Sequence, residues 1–236
     1  MSDQHSPTVV RAFIALITAD GSRPLITFYD DATGERTELS AATLGNWMSK
    51  TANLLVDGLG LGPGSVAAVR LPAHWQTAGV LLGCWAAGLT VDLGQPGHAG
   101  PPADVAFVTV DSPATTADET YALSLAPMGL PFRPGPPPGT LDYTLEVRTF
   151  GDHFNGSPPA PASPALTDGT THADLASAVT GLTADGRILI DGDAHPDPRT
   201  WLVAPLLAGT SVVLCRNLDP TKLPARLTAE HATPFR

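Results

Sequence analysis

Residues 36–93, RTELSAATLGNWMSKTANLLVDGLGLGPGSVAAVRLPAHWQTAGVLLGCWAAGLTVDL, decide the fold. Thr37-Glu38-Leu39-Ser40 reads as a helix start, with the Ser40 hydroxyl placed to accept a backbone N–H as an N-cap. Leu44, Trp47, Met48, Thr51, Leu54, Leu55 and Leu59 then recur at steps of three and four, one apolar stripe of an amphipathic helix. Gly58, Gly60 and the turn Gly62-Pro63-Gly64 end it. Val66–Leu71 is an apolar run of strand length, closed by Pro72. His74–Gly88 repeats the helical pattern, with Trp75, Val80, Leu81, Cys84 and Trp85 among its apolar members, and Thr90–Leu93 is a second strand. Helix, strand, helix, strand at this spacing is the rhythm of a parallel sheet covered by helices.

Working outward, Val10, Phe13, Ile14 and Ile17 give helical spacing after Pro7, and Pro24–Asp30 reads as a strand whose turn, Asp31–Glu35, makes a hairpin with the run into Arg36. Beyond Leu93 the sequence predicts a loop over 94–102, a buried strand Val105–Val110 and a weak helix Ala117–Ala126. It then predicts irregular chain through Phe132–Thr140, where proline removes donors and fixes φ, and an edge strand pair within Leu141–Phe150. Gly156–Pro164 (GSPPAPASP) reads as a linker, so the expected organisation is one domain, 1–236, with subdomains 1–155 and 165–236 joined by 156–164. The last quarter returns to alternation: helix Thr171–Leu182, strand Arg187–Asp191, helix Pro198–Ala208, strand Ser211–Cys215, helix Pro220–His231.

The chain has 236 residues, long enough for a sizeable core, and 15% of them are charged, a low charge density for a globular protein. A net charge of −10 argues against nucleic acid or an anionic membrane surface as partner. Two cysteines make no disulfide framework, and Cys84 and Cys215 read as buried free thiols. The apolar run around Val80–Val91 is too short to span a bilayer, and no basic start marks a signal peptide, so the expectation is a cytoplasmic, soluble protein with no membrane insertion.

Residues 37–93 also resemble the N-terminal region of AMP-forming acyl-CoA synthetases and other adenylate-forming ligases. Thr37 and Leu39, then Leu59, Gly60, Gly64, Val66 and Ala67, then Ala87, Gly88 and Leu93 stand where that family has its helix start, its turn into a strand and the end of its second helix. The family's Tyr and its turn Asp are missing, and Ser65 takes the turn-Asp place. The resemblance resumes in the last quarter, where Pro205, Leu206, Leu207, Gly209, Val212, Val213, Leu214, Glu230 and Thr233 keep the pattern. It implies an α/β fold of mostly parallel sheets flanked by helices, the N-terminal domain of such a ligase without its C-terminal half.

Adenylation needs the triphosphate of ATP held by backbone N–H groups and neutralised by a lysine in a Gly-x-Pro-Lys-Gly loop. Here Thr167-Asp168-Gly169-Thr170-Thr171-His172 stands in that place: Gly169, Thr170 and Thr171 match, and His172 with Asp174 and Leu175 resembles the helix that normally follows. The loop reads as deleted, and Asp168 puts a negative charge where phosphate oxygens would sit. The chain's two lysines, Lys50 and Lys222, are distant in sequence from it. His195 falls near a family His that lines the acyl pocket, although the same stretch, Asp191–Asp197, also reads as a polar loop. For His172 a helix-capping or solvent-facing role outweighs that of a general base, and Trp47, Trp75, Trp85 and Trp201 read as core. Walker, nucleophile-elbow, dithiol and dinucleotide motifs are all absent.

The sequence therefore predicts a non-catalytic relative of the ligases, a binding or regulatory module with no catalytic residue, no metal and no cofactor, ATP and AMP included. A small enzyme with residual acyl or nucleotide chemistry is the alternative. Its expected ligand site is Thr167, Asp168, Gly169, Thr170, Thr171, His172 and His195, for a small acyl or nucleotide ligand. An unpaired strand edge or uncovered apolar face is expected at the end of the sheet holding Arg187–Asp191, and with it a protein partner or a homo-oligomer.

Overall fold

The computed structural model describes residues 8–94, 101–112, 116–177, 182 and 186–235. Two five-stranded sheets carry the chain. The first has the order β10-β8-β9-β1-β2, built from β1 (Pro24–Asp30), β2 (Glu35–Ser40), β8 (Arg187–Asp191), β9 (Ser211–Arg216) and β10 (Thr233–Pro234). The second has the order β4-β3-β5-β6-β7, from β3 (Val66–Arg70), β4 (Thr90–Asp92), β5 (Ala103–Val108), β6 (Ala117–Ala122) and β7 (Leu141–Asp142). Among the pairs of named strands, β1–β2 alone is antiparallel. The first sheet draws β1 and β2 from before residues 156–164 and its other strands from after them, so the two stretches share a sheet.

The deciding stretch folds as its pattern dictates. After α1 (Val9–Asp20), Ser40 Oγ accepts the Thr43 N–H at 3.1 Å and caps α2 (Ala41–Asn53), which runs on as a π-helical turn, Leu54–Gly58. Glu38 and Leu39 precede that cap as the end of β2. In α3 (Trp75–Ala86) every residue is buried, because the helix lies inside the molecule against α2. The approach is close enough that a Cβ on Gly83 would sit 2.4 Å from Thr51 Cβ, and one on Gly79 would sit 3.0 Å from Trp47 Cβ. The glycines of GVLLG are thus what lets the two helices meet. Trp75, Trp85 and Trp201 are fully buried, and Trp47 packs edge-on to Trp75 at 5.3 Å. Cys84 and Cys215 are free, buried thiols.

Three local expectations fail. Ala117–Ala122 is strand β6, held between β5 and β7, where Thr120 and Tyr121 suit a pleated surface better than the alanine-rich composition suggests. The edge strand pair expected within 141–150 is a two-residue β7 followed by a helix, α4 (Tyr143–Val147). It is started by Asp142, whose Oδ1 accepts from the N–H groups of Thr144 and Leu145. The expected open edge beside β8 is covered over two residues by β10, and Phe235 N–H donates to Leu189 O at 2.9 Å. Elsewhere the differences are of extent. The expected helix 171–182 is described as α5 (His172–Ser177), its further residues 178–181 and the loop residues 95–100 lying outside the described residues. The helix over 198–208 is a π-helical turn Arg199–Val203 running into α6 (Ala204–Ala208).

The outer face of the first sheet is closed by α7 (Leu223–Ala229). Arg226 makes a bidentate ion pair with Asp31, at 2.6 and 3.1 Å, and lies 4.2 Å from the centre of the Tyr29 ring. Both partners are under a tenth exposed, and the Arg226 hydrogen bonds hold the Asp31 carboxyl well below the usual carboxylate range.

Candidate functional site

Every strand of the second sheet is parallel, so all of its carboxyl ends lie on one edge. From β3 the chain passes through α3 to β4 on one side, while β5 pairs on the other side of β3. That reversal is the place where open α/β sheets leave a crevice for ligands. A cleft of about 540 Å³ lies there, formed by residues 69–72 at the end of β3, Leu93 after β4, 109–112 after β5 and 123–125 after β6, with Phe132 and Arg216 completing it.

Arg70 ends β3, and both of its terminal nitrogens are held by Asp92 at the end of β4: Nη1 donates to the backbone O at 2.6 Å and Nη2 to Oδ2 at 2.5 Å. The pair is largely buried, 14% and 8% exposed. Gly94 (φ +74°) folds back so closely that a Cβ there would meet Arg70 Nε at 2.9 Å, so a larger residue would be strained in its backbone and would push on the Arg70 guanidinium. Ser112 Oγ donates to Arg70 O at 2.6 Å and accepts the Thr109 N–H at 2.8 Å. Arg216, from the end of β9, gives its Nε to Asp193 at 3.2 Å. Behind it His74, the N-cap of α3, accepts the Gln76 N–H on Nδ1, so its proton sits on Nε2, which is buried with no acceptor among the described residues. Burial, with the Arg216 charge adding to it, pulls the His74 pKa down to about 3.

The other Asp92 oxygen links this cleft to the loop singled out from sequence: Oδ1 accepts from Gly94 N–H at 3.0 Å and from Thr167 Oγ1 at 3.4 Å. Ala165 and Leu166 extend the sheet beyond β4, with Thr167 N–H donating to Val91 O at 3.0 Å. The chain then turns tightly. Gly169 adopts φ +95° and gives its N–H to Leu166 O at 3.2 Å, and Thr170 N–H goes to Asp168 Oδ1 at 2.9 Å. Thr171 N–H and Oγ1 both go to Asp174 Oδ2, at 2.9 and 2.7 Å, while Asp174 N–H returns to Thr171 Oγ1 at 3.1 Å. This reciprocal capping box starts α5. The Thr170 and Thr171 hydrogen bonds lower the pKa values of Asp168 and Asp174 respectively.

Helix capping therefore belongs to Thr171, and His172 neither caps nor faces solvent. It is fully buried, both ring nitrogens lack a partner among the described residues, and desolvation lowers its pKa to about 4. His195 is half-buried and edge-on to Phe235 at 5.0 Å, and no hydrogen bond joins its side chain to the loop among the described residues. Its neighbours come closer to the loop: Asp168 feels the charge of Arg199, whose guanidinium is bound to Asp197 at 2.7 Å. Among the described residues no three His, Cys, Asp or Glu side chains are placed to share a metal ion. Arg70, Asp92, Asp111, Ser112 and Arg216 were not found from sequence. Their signal is slight, a charged residue closing an apolar strand in VAAVR, TVD and SVVLCR.

This architecture is that of the N-terminal domain of an acyl-CoA ligase. The fold matches an acyl-CoA synthetase of Brucella canis with a TM-score of 0.74 at 14% identity, over 99% of this chain and 47% of that one. It also matches the anthranilate CoA ligase AuaEII, solved with anthranoyl-AMP, with a TM-score of 0.64 at 14% identity, over 88% and 45%. The chain spans about half the length of these solved structures. No family model matches the sequence. In sequence the chain is 41% identical over 244 residues to a TIGR03089 family protein of Mycobacterium tuberculosis (strain ATCC 25618 / H37Rv), covering 97% of this chain and 98% of that one. It belongs to the TIGR03089 family. Among the described residues no helix is long and apolar enough to cross a membrane.

Proposed function

We propose that this protein is a non-catalytic member of the ligase fold, a cytoplasmic binding or regulatory module that works as one domain. The observation that carries the reading is the fate of the loop's donors. A phosphate cradle needs converging N–H groups with no other acceptor. The N–H groups of Gly169, Thr170 and Thr171 are all spent, on Leu166 O and on the carboxylates of Asp168 and Asp174. Those carboxylates stay ionised and repel a polyphosphate. The lysines offer no relief: Lys50 is bound to Phe150 O and Asp152, and Lys222 to Asp31. His172 is too buried to serve as a base reached by substrate.

Its partners on this reading are a protein or a second copy of the chain, with a small acyl or nucleotide compound as effector. Carboxylate-dependent exchange of pyrophosphate into ATP is the direct test, and it should stay at background for the purified protein across a range of acyl chain lengths. Clear exchange, abolished by His172→Ala in a folded variant, would restore the reading of a small enzyme.

A further inference from the structure

The cleft at the β3–β5 reversal carries more than its position. Both terminal nitrogens of Arg70 are satisfied by Asp92, so its charge is already matched. Arg216 differs, for Asp193 takes only its Nε, leaving the two terminal nitrogens without a partner among the described residues. Asp193 itself is turned outward, 44% exposed, and also accepts the Asn217 N–H at 2.6 Å. On the rim stands Asp111, exposed, with no ion pair among the described residues. Between them Leu123, Leu125 and Phe132 supply an apolar wall. The same cleft thus presents one cation with donors to spare, one carboxylate, and apolar surface.

A nucleotide suits this badly, since its phosphates would meet Asp111, and a simple fatty acid leaves Asp111 without a partner. A zwitterion matches both charges at once, and about 540 Å³ lies within the range of small-molecule sites. We propose that this cleft binds a free α-amino acid with an apolar side chain, its carboxylate on Arg216, its ammonium on Asp111 and its side chain against Leu123, Leu125 and Phe132. This deepens the reading of a binding module, but it does not rest on the spent loop. Pyrophosphate exchange would overturn that reading and leave this site standing.

The test is calorimetric titration of the full chain with L-leucine, beside 4-methylpentanoate and 3-methylbutylamine, and with L-phenylalanine, beside 3-phenylpropanoate and 2-phenylethylamine, the first of each pair lacking the ammonium and the second the carboxylate. At least one amino acid should bind saturably, and its two truncated analogues at least about tenfold more weakly. Arg216→Met and Asp111→Asn should each weaken binding by about tenfold or more, with unchanged thermal melting showing that the variants fold. Asp111 lies in an exposed turn, so its variant keeps the test decisive if Arg216→Met fails to fold. Asp57→Asn, on the exposed face of the turn Leu54–Gly58 and outside the cleft's lining, should bind as the parent does. Absence of saturable binding at millimolar amino acid, equal binding of either analogue, tighter binding of AMP or CoA displacing the amino acid, or indifference to Asp111→Asn would each overturn the proposal.

Discussion

Replacing His172 by Leu should stabilise this protein, and most strongly in mild acid. The imidazole is fully buried with neither nitrogen bonded among the described residues, so its N–H forfeits the hydrogen bond it made to water, a cost of about 1–3 kcal/mol. Burial also lowers its pKa from the ordinary 6.5 to about 4. The unfolded chain therefore binds the proton more readily than the folded one between those values. The stability this group contributes is complete above pH 6.5 and drains away as the pH falls toward 4. Integrating the two titrations from pH 7 to pH 5 gives a loss of about 2 kcal/mol from this residue. Leucine fills similar space without a donor or a titration. His172→Leu should raise stability at pH 7 by about 1 kcal/mol, and its stability should fall about 2 kcal/mol less than the parent's between pH 7 and pH 5. His74, whose pKa falls to about 3, leaves the remaining slope in both proteins. Urea melts at pH 7, 6 and 5 with a constant m-value read this directly. A variant less stable at pH 7 and with the parent's full acid slope would refute the reasoning, because it would mean the imidazole has a partner in solution.

Arg226→Met leaves Asp31 as a buried carboxylate held only by the Lys222 ammonium and the Asp219 N–H, and should cost about 3 kcal/mol in urea melts at pH 7. Adding Asp31→Asn to it should recover part of that loss, and no recovery would mean that packing on Tyr29 outweighs the charge. Met128, Leu130 and Leu145 are 77%, 50% and 54% exposed, and on the proposed partnership light scattering should report a species heavier than the 24.4 kDa chain. A concentration-independent monomer that binds no apolar dye would count against self-association.

The parts of the fold legible in the sequence are those where local chemistry and tertiary packing agree. Ser40 caps α2 because a hydroxyl before an amphipathic run is both a local signal and the observed contact. The βαβ rhythm from Val66 to Asp92 survives because strands buried on both faces must be continuously apolar. Legibility fails where an element exists only through its neighbours. ADETYA becomes β6 through pairing with β5 and β7, and LDYTLEV becomes a helix because Asp142 finds two N–H groups to accept from. The GVLLG approach to α2 is equally silent in one dimension, since nothing in the sequence says that Thr51 will lie against Gly83.

The site divides along the same line. The loop at 167–171 was legible as a departure from a known pattern, because a missing lysine and an added aspartate can be read one residue at a time. What the loop does with its donors was not. Asp174 could be seen as part of the following helix, but only the turn geometry shows it closing over Thr171, so a residue read as neutral context supplies half of the support for the proposed loss of phosphate binding. The cleft lies further out of reach. Its charges come from the ends of two different sheets, and which of its two arginines can meet a ligand depends on Asp92, 22 residues beyond Arg70, reaching back to hold both of that side chain's terminal nitrogens. Arg216 is the other arginine, and its availability follows from a neighbour that binds it on one side only. A strand-terminal arginine is thus ambiguous as sequence, and its role is set by the carboxylates the fold brings to it.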